Sequence, residues 1–106
     1  MTDIKVIQND KLYDLNFTLQ DSAGTAIDLT GSTIKLKVQK YGASANKFEG
    51  AMTIVDAVTG KCKYTVQATD FDEAGKYYAE IEVVFTSNQI LTFPDIIITA
   101  DPELPK

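Results

Sequence analysis

From Tyr77 to Phe85 the chain alternates without a break. Tyr77, Ala79, Ile81, Val83 and Phe85 fall on one side, and Tyr78, Glu80, Glu82 and Val84 on the other. Successive side chains of an extended strand point to opposite faces, so this pattern describes a strand with one buried and one solvated face. The same period recurs in Leu15, Phe17 and Leu19, interleaved with Asn16 and Thr18. It recurs again in Ile34, Leu36 and Val38, where Lys35, Lys37 and Gln39 mark the solvated side. Cys62, Tyr64 and Val66 alternate likewise, and Ile4, Val6 and Ile7 outline a short first strand.

Turn chemistry separates these runs. Asp21-Ser22-Ala23-Gly24 supplies a turn, because Asp bonds its own backbone and Gly accepts positive φ. Thr59-Gly60 closes a hairpin into the Cys62 run, and Ser87-Asn88-Gln89 turns the longest strand into Ile90–Phe93. Ile27–Gly31 reads as a bridging segment or edge strand, residues 41–47 as the most loop-like stretch, and Gly50–Asp56 as extended, with Met52, Ile54 or Val55 in the core. Pro94 interrupts the last run before Ile96–Thr99. A proline cannot donate to a ladder, so it favours an edge, a bulge or a switch of sheets. Seven or eight short antiparallel strands, with no internal repeat and no helix of ordinary length, predict an all-β sandwich with Greek-key connections. The 106 residues fit one domain. The expected division is a sandwich over residues 1–100 and a Pro-rich, charged tail or linker over 101–106.

Composition narrows the function. The net charge is −5 and every basic residue is Lys, whereas a nucleic-acid binder needs a basic patch to neutralise phosphate. The absence of His removes the commonest acid–base residue and metal ligand. The lone cysteine, Cys62, cannot form an internal disulfide, and lies in a strand pattern as a small buried hydrophobe. No secretory signal and no bilayer-spanning stretch is visible, so the expectation is a chain made and folded in the cytoplasm, with no membrane partner.

Asp70, Asp72 and Glu73 invite a calcium site, with Asp56, Asp95 or Asp101 as further ligands. Calcium asks for six to eight converging oxygens, and turn formation explains Asp here more simply. The pairs Glu80/Glu82 and Asp70/Asp72 invite an acid–base reading. Such a pair needs unequal, partly buried environments, and Glu80 and Glu82 alternate outward. With no phosphate loop and no nucleophile–base set, no reaction can be written. The expectation is a non-enzyme without cofactor or metal. Tyr41, Phe48, Phe71, Tyr78 and Phe93 are not all placed by the core alternation, and form the candidate interface set, since aromatic residues are enriched in protein interfaces.

Asp72-Glu73-Ala74-Gly75-Lys76-Tyr77 resembles the tyrosine corner that opens strand F of immunoglobulin domains, which makes Asp72, Gly75 and Tyr77 structural. Two residues later, where an antibody domain carries its second disulfide Cys, stands Ala79. A larger set of motifs runs in order from Asn9-Asp10 to residue 98. It includes Leu15–Leu19, Asp21, Gly24, Ile27-Asp28-Leu29-Thr30-Gly31-Ser32-Thr33-Ile34, Asp56–Lys61, Tyr64, Asp70, Asp72, Gly75, Tyr77 and Leu91-Thr92-Phe93-Pro94. In order and spacing this set resembles the N-terminal domain of baseplate upper proteins from tailed phages of Gram-positive bacteria.

That resemblance implies an immunoglobulin-like sandwich without a disulfide, located in the virion tail. It would anchor a tail-tip or receptor-binding assembly to the baseplate, with other baseplate or tail proteins as partners. Such proteins continue past this domain, so the chain is expected to be either a fragment or a small standalone virion or prophage protein. Any homo-oligomer would then belong to a longer parent. The alternatives are a bacterial surface adhesion or carbohydrate-binding module that uses exposed aromatics, and an accessory domain of a phage lysin.

Overall fold

Each alternating run becomes a strand in the computed structural model, which describes residues 2–102. The strands are β1 (Thr2–Ile7), β2 (Asp14–Thr18), β3 (Thr33–Lys40), β4 (Phe48–Ala51), β5 (Thr53–Asp56), β6 (Lys61–Thr65), β7 (Gly75–Val84) and β8 (Ile90–Asp101). They form a five-stranded sheet in the order β1-β8-β7-β3-β4 and a three-stranded sheet in the order β2-β6-β5. In immunoglobulin terms β8-β7-β3 is the G-F-C triplet, extended by β4, and β2-β6-β5 is B-E-D. The molecule is an immunoglobulin-like sandwich.

The inward rows meet between the sheets. Leu15, Phe17, Cys62 and Tyr64 from one sheet face Ile34, Leu36, Val38, Tyr77, Ala79, Ile81, Val83, Ile96 and Ile98 from the other, all buried. Every ladder is antiparallel except β1–β8, which runs parallel with Thr2 opposite Ile96 and Ile7 opposite Asp101. These two strands lie at opposite ends of the chain. No tight hairpin joins them, so nothing forces them antiparallel.

Two local readings are corrected or decided by the structure. The extended run from Gly50 to Asp56 is two strands: the chain leaves the five-stranded sheet after Ala51, buries Met52, and joins the other sheet at Thr53. A register irregularity between Ile54 and Asp56 turns Val55 outward, so it is exposed rather than core. Of the two readings open for Ile27–Gly31, the bridging segment is realised and the edge strand is not. The Asp28 carboxylate accepts bonds from the Thr30 amide at 3.0 Å and hydroxyl at 2.6 Å, and this turn drives Leu29 fully into the core.

Pro94 sits inside β8, and of the three outcomes expected for it the bulge is realised. Pairing shifts between Ala79 opposite Ile96 and Ile81 opposite Phe93, and Asp95 takes a φ of 67°. Strand β8 continues through Asp101, which opposes Ile7. Residues 103–106 of the expected tail lie outside the described residues.

Candidate functional site

The connection between β6 and β7 folds back over one end of the sandwich and organises it. Gly75 holds a φ of 133°, which a side chain would disfavour, and Tyr77 follows it into the core with no exposed surface. The Tyr77 hydroxyl donates to the carbonyl oxygen of Glu73 at 2.6 Å, closing the corner on itself. Its ring meets Phe71 edge-on at 5.2 Å, Phe71 meets Phe48 edge-on at 5.5 Å, and Phe48 stacks on Tyr64 at 5.6 Å. This aromatic chain binds β4, β6, β7 and the corner together. Gly50 makes room for it, since a Cβ there would lie 2.2 Å from Cε1 of Tyr64.

Phe71 and Phe48 therefore leave the interface set. Phe71 is 1% exposed, and Phe48 is half-buried in the same cluster. Period-two reasoning places strand residues only. It cannot tell that residue 71, in a connection, is folded inward. Phe93 is also half-buried: it lies opposite Ile81 and packs on the core at the opening between β8 and β2, beside Phe17 and Leu19.

The acidic residues near the corner do not converge. Asp70 is buried and accepts bonds from the Tyr64 hydroxyl and from the Gln67 amide at 2.8 Å. Asp72 pairs with Lys47 at 2.8 Å and Glu73 with Lys40 at 3.2 Å. The Lys47 ammonium holds the Asp72 carboxyl below the usual carboxylate range, while burial and the neighbouring Asp70 push the Tyr64 hydroxyl upward. Each carboxylate has its own partner, and no group of three or more metal-ligating side chains is gathered among the described residues. Cys62 is 1% exposed, and burial pushes its thiol up to about 11, which suppresses the nucleophilic thiolate. Glu82 is engaged by Lys37 at 3.0 Å, whereas Glu80 is exposed and unpaired among the described residues.

What remains is a surface. Tyr41 and Tyr78 are both exposed and stack at 4.1 Å with their planes 15° apart on the outer face of the five-stranded sheet. Tyr78 lies between Gln39 of β3 and Ile97 of β8, and Ile97 in turn opposes Asp3. The Lys76 ammonium stands 6.0 Å from the centre of the Tyr41 ring. Beside Tyr78 opens a cleft of about 240 Å³, lined also by Lys37, Gln39, Asn46, Glu80, Pro94 and Asp95. Sequence reasoning picks out the two tyrosines but not Asp95, which shares the cleft with Tyr78. The break in alternation at Pro94-Asp95 is the available signal, because a bulge there re-aims the neighbouring side chain.

Residues 1–104 match the family model of the BppU N-terminal domain. The search of curated proteins found no match to the chain in sequence. Among solved structures, the fold is similar to that of CopC from Methylosinus trichosporium OB3b, with a TM-score of 0.58 and 13% identity over 100% of this chain and 90% of that one. At that identity the likeness is one of fold alone.

Proposed function

The chain belongs to the BppU N-terminal domain family and is a phage baseplate-associated structural protein, and we propose that it serves as the attachment module anchoring a tail-tip or receptor-binding assembly to the baseplate. The observation that carries this reading is the extent of the family match. It runs over residues 1–104 and so takes in both sheets and the corner, not one motif.

An anchor works by holding a surface still, and the described residues are arranged for that. The central strands β7 and β3 are paired on both edges, and the aromatic corner ties the two sheets at one end. The chemistry supports a non-enzymatic role. The thiol is buried and protonated, the chain has no His, and the corner carboxylates are committed to lysines or to a tyrosine hydroxyl. The partners are other proteins of the baseplate or tail, and the site of action is the virion tail. Electron microscopy of particles from the source phage or prophage tests the reading. Density for an eight-stranded sandwich at the tail tip is the expected result, and purified particles lacking it would refute the attachment role.

A further inference from the structure

We propose that the outer face of the five-stranded sheet, at Tyr78, Glu80 and Asp95, is where a basic protein partner docks. The anchor is an arginine side chain laid on Tyr78 with its guanidinium against the two carboxylates. This inference rests on the attachment reading and adds to it the face used and the chemistry of the partner.

Charge is the first argument. The lysines of this face are already committed: Lys5 to Asp101 at 3.6 Å, Lys35 to Glu49 at 3.5 Å and Lys37 to Glu82 at 3.0 Å. Asp3, Glu80 and Asp95 have no ion-pair partner among the described residues; Lys76 is drawn toward the Tyr41 ring, and Lys37, which lines the cleft opposite Glu80, is held by Glu82. Lys37 is one ammonium among the three carboxylates of Glu82, Glu49 and Glu80, all of which raise its pKa. The face keeps a surplus of negative charge around an aromatic centre. The outer face of the three-stranded sheet lacks this combination: there Asp14 is held by Lys63 at 3.4 Å and by the Thr65 hydroxyl at 2.6 Å, and the neighbouring outward residues Asn16, Thr18 and Thr53 include no aromatic.

Preorganisation is the second argument. Tyr78 projects from a central strand and is braced on one side by Tyr41, so little order is lost when a guest lands on it. Asp95 is brought to the same cleft by the β8 bulge at a φ of 67°, a conformation uncommon outside Gly and found where a bulge re-aims a side chain. The cleft, at about 240 Å³, has room for one long side chain. A planar guanidinium stacks on an aromatic ring and offers forked donors to carboxylates at once, which an ammonium cannot do. These 106 residues contain no arginine, so a second copy of this domain would not supply the anchor.

The test is titration of the ¹⁵N-labelled domain with N-acetyl-arginine amide, followed by NMR. Parallel titrations use N-acetyl-citrulline amide, which has the same shape without the charge, and N-acetylglucosamine. The expected result is saturable shifts of the amides of Gln39, Tyr78, Glu80 and Asp95 with the arginine probe, at a dissociation constant on the order of millimolar, and none with citrulline. The double substitution E80Q/D95N should weaken binding roughly tenfold or more, while D14N on the opposite sheet leaves it unchanged. Both carboxamides are conformationally mild, since Glu80 is exposed and Asn tolerates the backbone of residue 95. The proposal fails if arginine produces no localised shifts, if citrulline matches it, if E80Q/D95N binds as well as the parent, or if only the sugar moves these signals. Arginine binding without tail-tip density would sink the attachment reading alone. Density without arginine binding would sink only the choice of face.

Discussion

Replacing Tyr77 by Phe removes one oxygen atom from the corner and little else. The ring is fully buried and would keep its edge contact with Phe71 at 5.2 Å, so no large cavity opens. The loss is the bond from the hydroxyl to the Glu73 carbonyl at 2.6 Å. A typical intramolecular hydrogen bond contributes about 0.5–1.5 kcal/mol net, and a carbonyl stranded away from water would add to that. The Glu73 end of this bond lies near the surface, and water can take the hydroxyl's place in part. The expected cost is therefore about 1–1.5 kcal/mol, the upper part of the ordinary range. For a domain of this size that corresponds to a fall in thermal midpoint of about 4–8 °C. The chain has no Trp, and tyrosine fluorescence would be altered by the substitution itself, so calorimetry and far-ultraviolet circular dichroism are the suitable readouts. The urea dependence of stability should keep its slope, since the surface exposed on unfolding is unchanged. A Tyr77→Phe protein that melts within about 1 °C of the parent would show that the hydroxyl is incidental and that ring packing alone fixes the corner.

Other perturbations probe different parts of the same end. Gly50→Ala drives a methyl group into the Tyr64 ring, 2.2 Å from Cε1, while the Tyr64 hydroxyl is tethered to Asp70. A loss of about 1–3 kcal/mol of stability, read as a lower urea midpoint, is expected, and an unchanged midpoint would mean that the ring swings away freely. Cys62 should react with a thiol reagent at pH 8 only as fast as the protein opens, and at once in denaturant. Rapid native labelling would contradict its burial. Asp72 has a folded pKa below its unfolded value because of Lys47. Its contribution is present above the ordinary carboxylate range and is lost as pH falls through the folded pKa. Asp72→Asn should flatten the acid limb of the stability–pH profile below about pH 4. Added salt should shrink the difference, because the pair is partly exposed. An acid limb identical in both proteins would refute the coupling.

The strands were legible wherever one face is buried, because burial writes itself into the sequence at period two. Ile34, Leu36 and Val38 face the core, and Lys35, Lys37 and Gln39 point away from it, as the alternation requires. The Tyr77 corner was legible because its spacing from Gly75 and Ala79 resembles a known solution to the same crossing problem. Connections were not legible. Leu29 and Phe71 are among the most buried side chains in the protein, yet both sit in segments without regular alternation, held by turn bonds and aromatic packing from distant parts of the chain. The switch of sheets at Met52 was hidden for the same reason. An extended run looks identical whether it stays in one sheet or crosses to the other, and only the partner strands decide. The candidate surface was half legible: Tyr41 and Tyr78 were found as aromatics the core does not need, but their stacking and the arrival of Asp95 depend on a loop and a bulge.

The most buried and the most exposed tyrosine of the corner region are consecutive residues. Tyr77 points inward to Phe71 and Glu73, and Tyr78 points outward to Tyr41, because neighbours on a strand face opposite sides. A load applied at the outer face through Tyr78 is therefore passed along one peptide unit to the residue that pins the two sheets together. Strand β7 is held along its length by β3 and β8 on either side, so that load is shared across both ladders and not concentrated on a loop. A loop-borne aromatic would give the same contact area but would spend binding energy on being ordered first. This is the physical case for docking on the five-stranded sheet: a central strand presents the contact residue, and the corner directly behind it resists displacement.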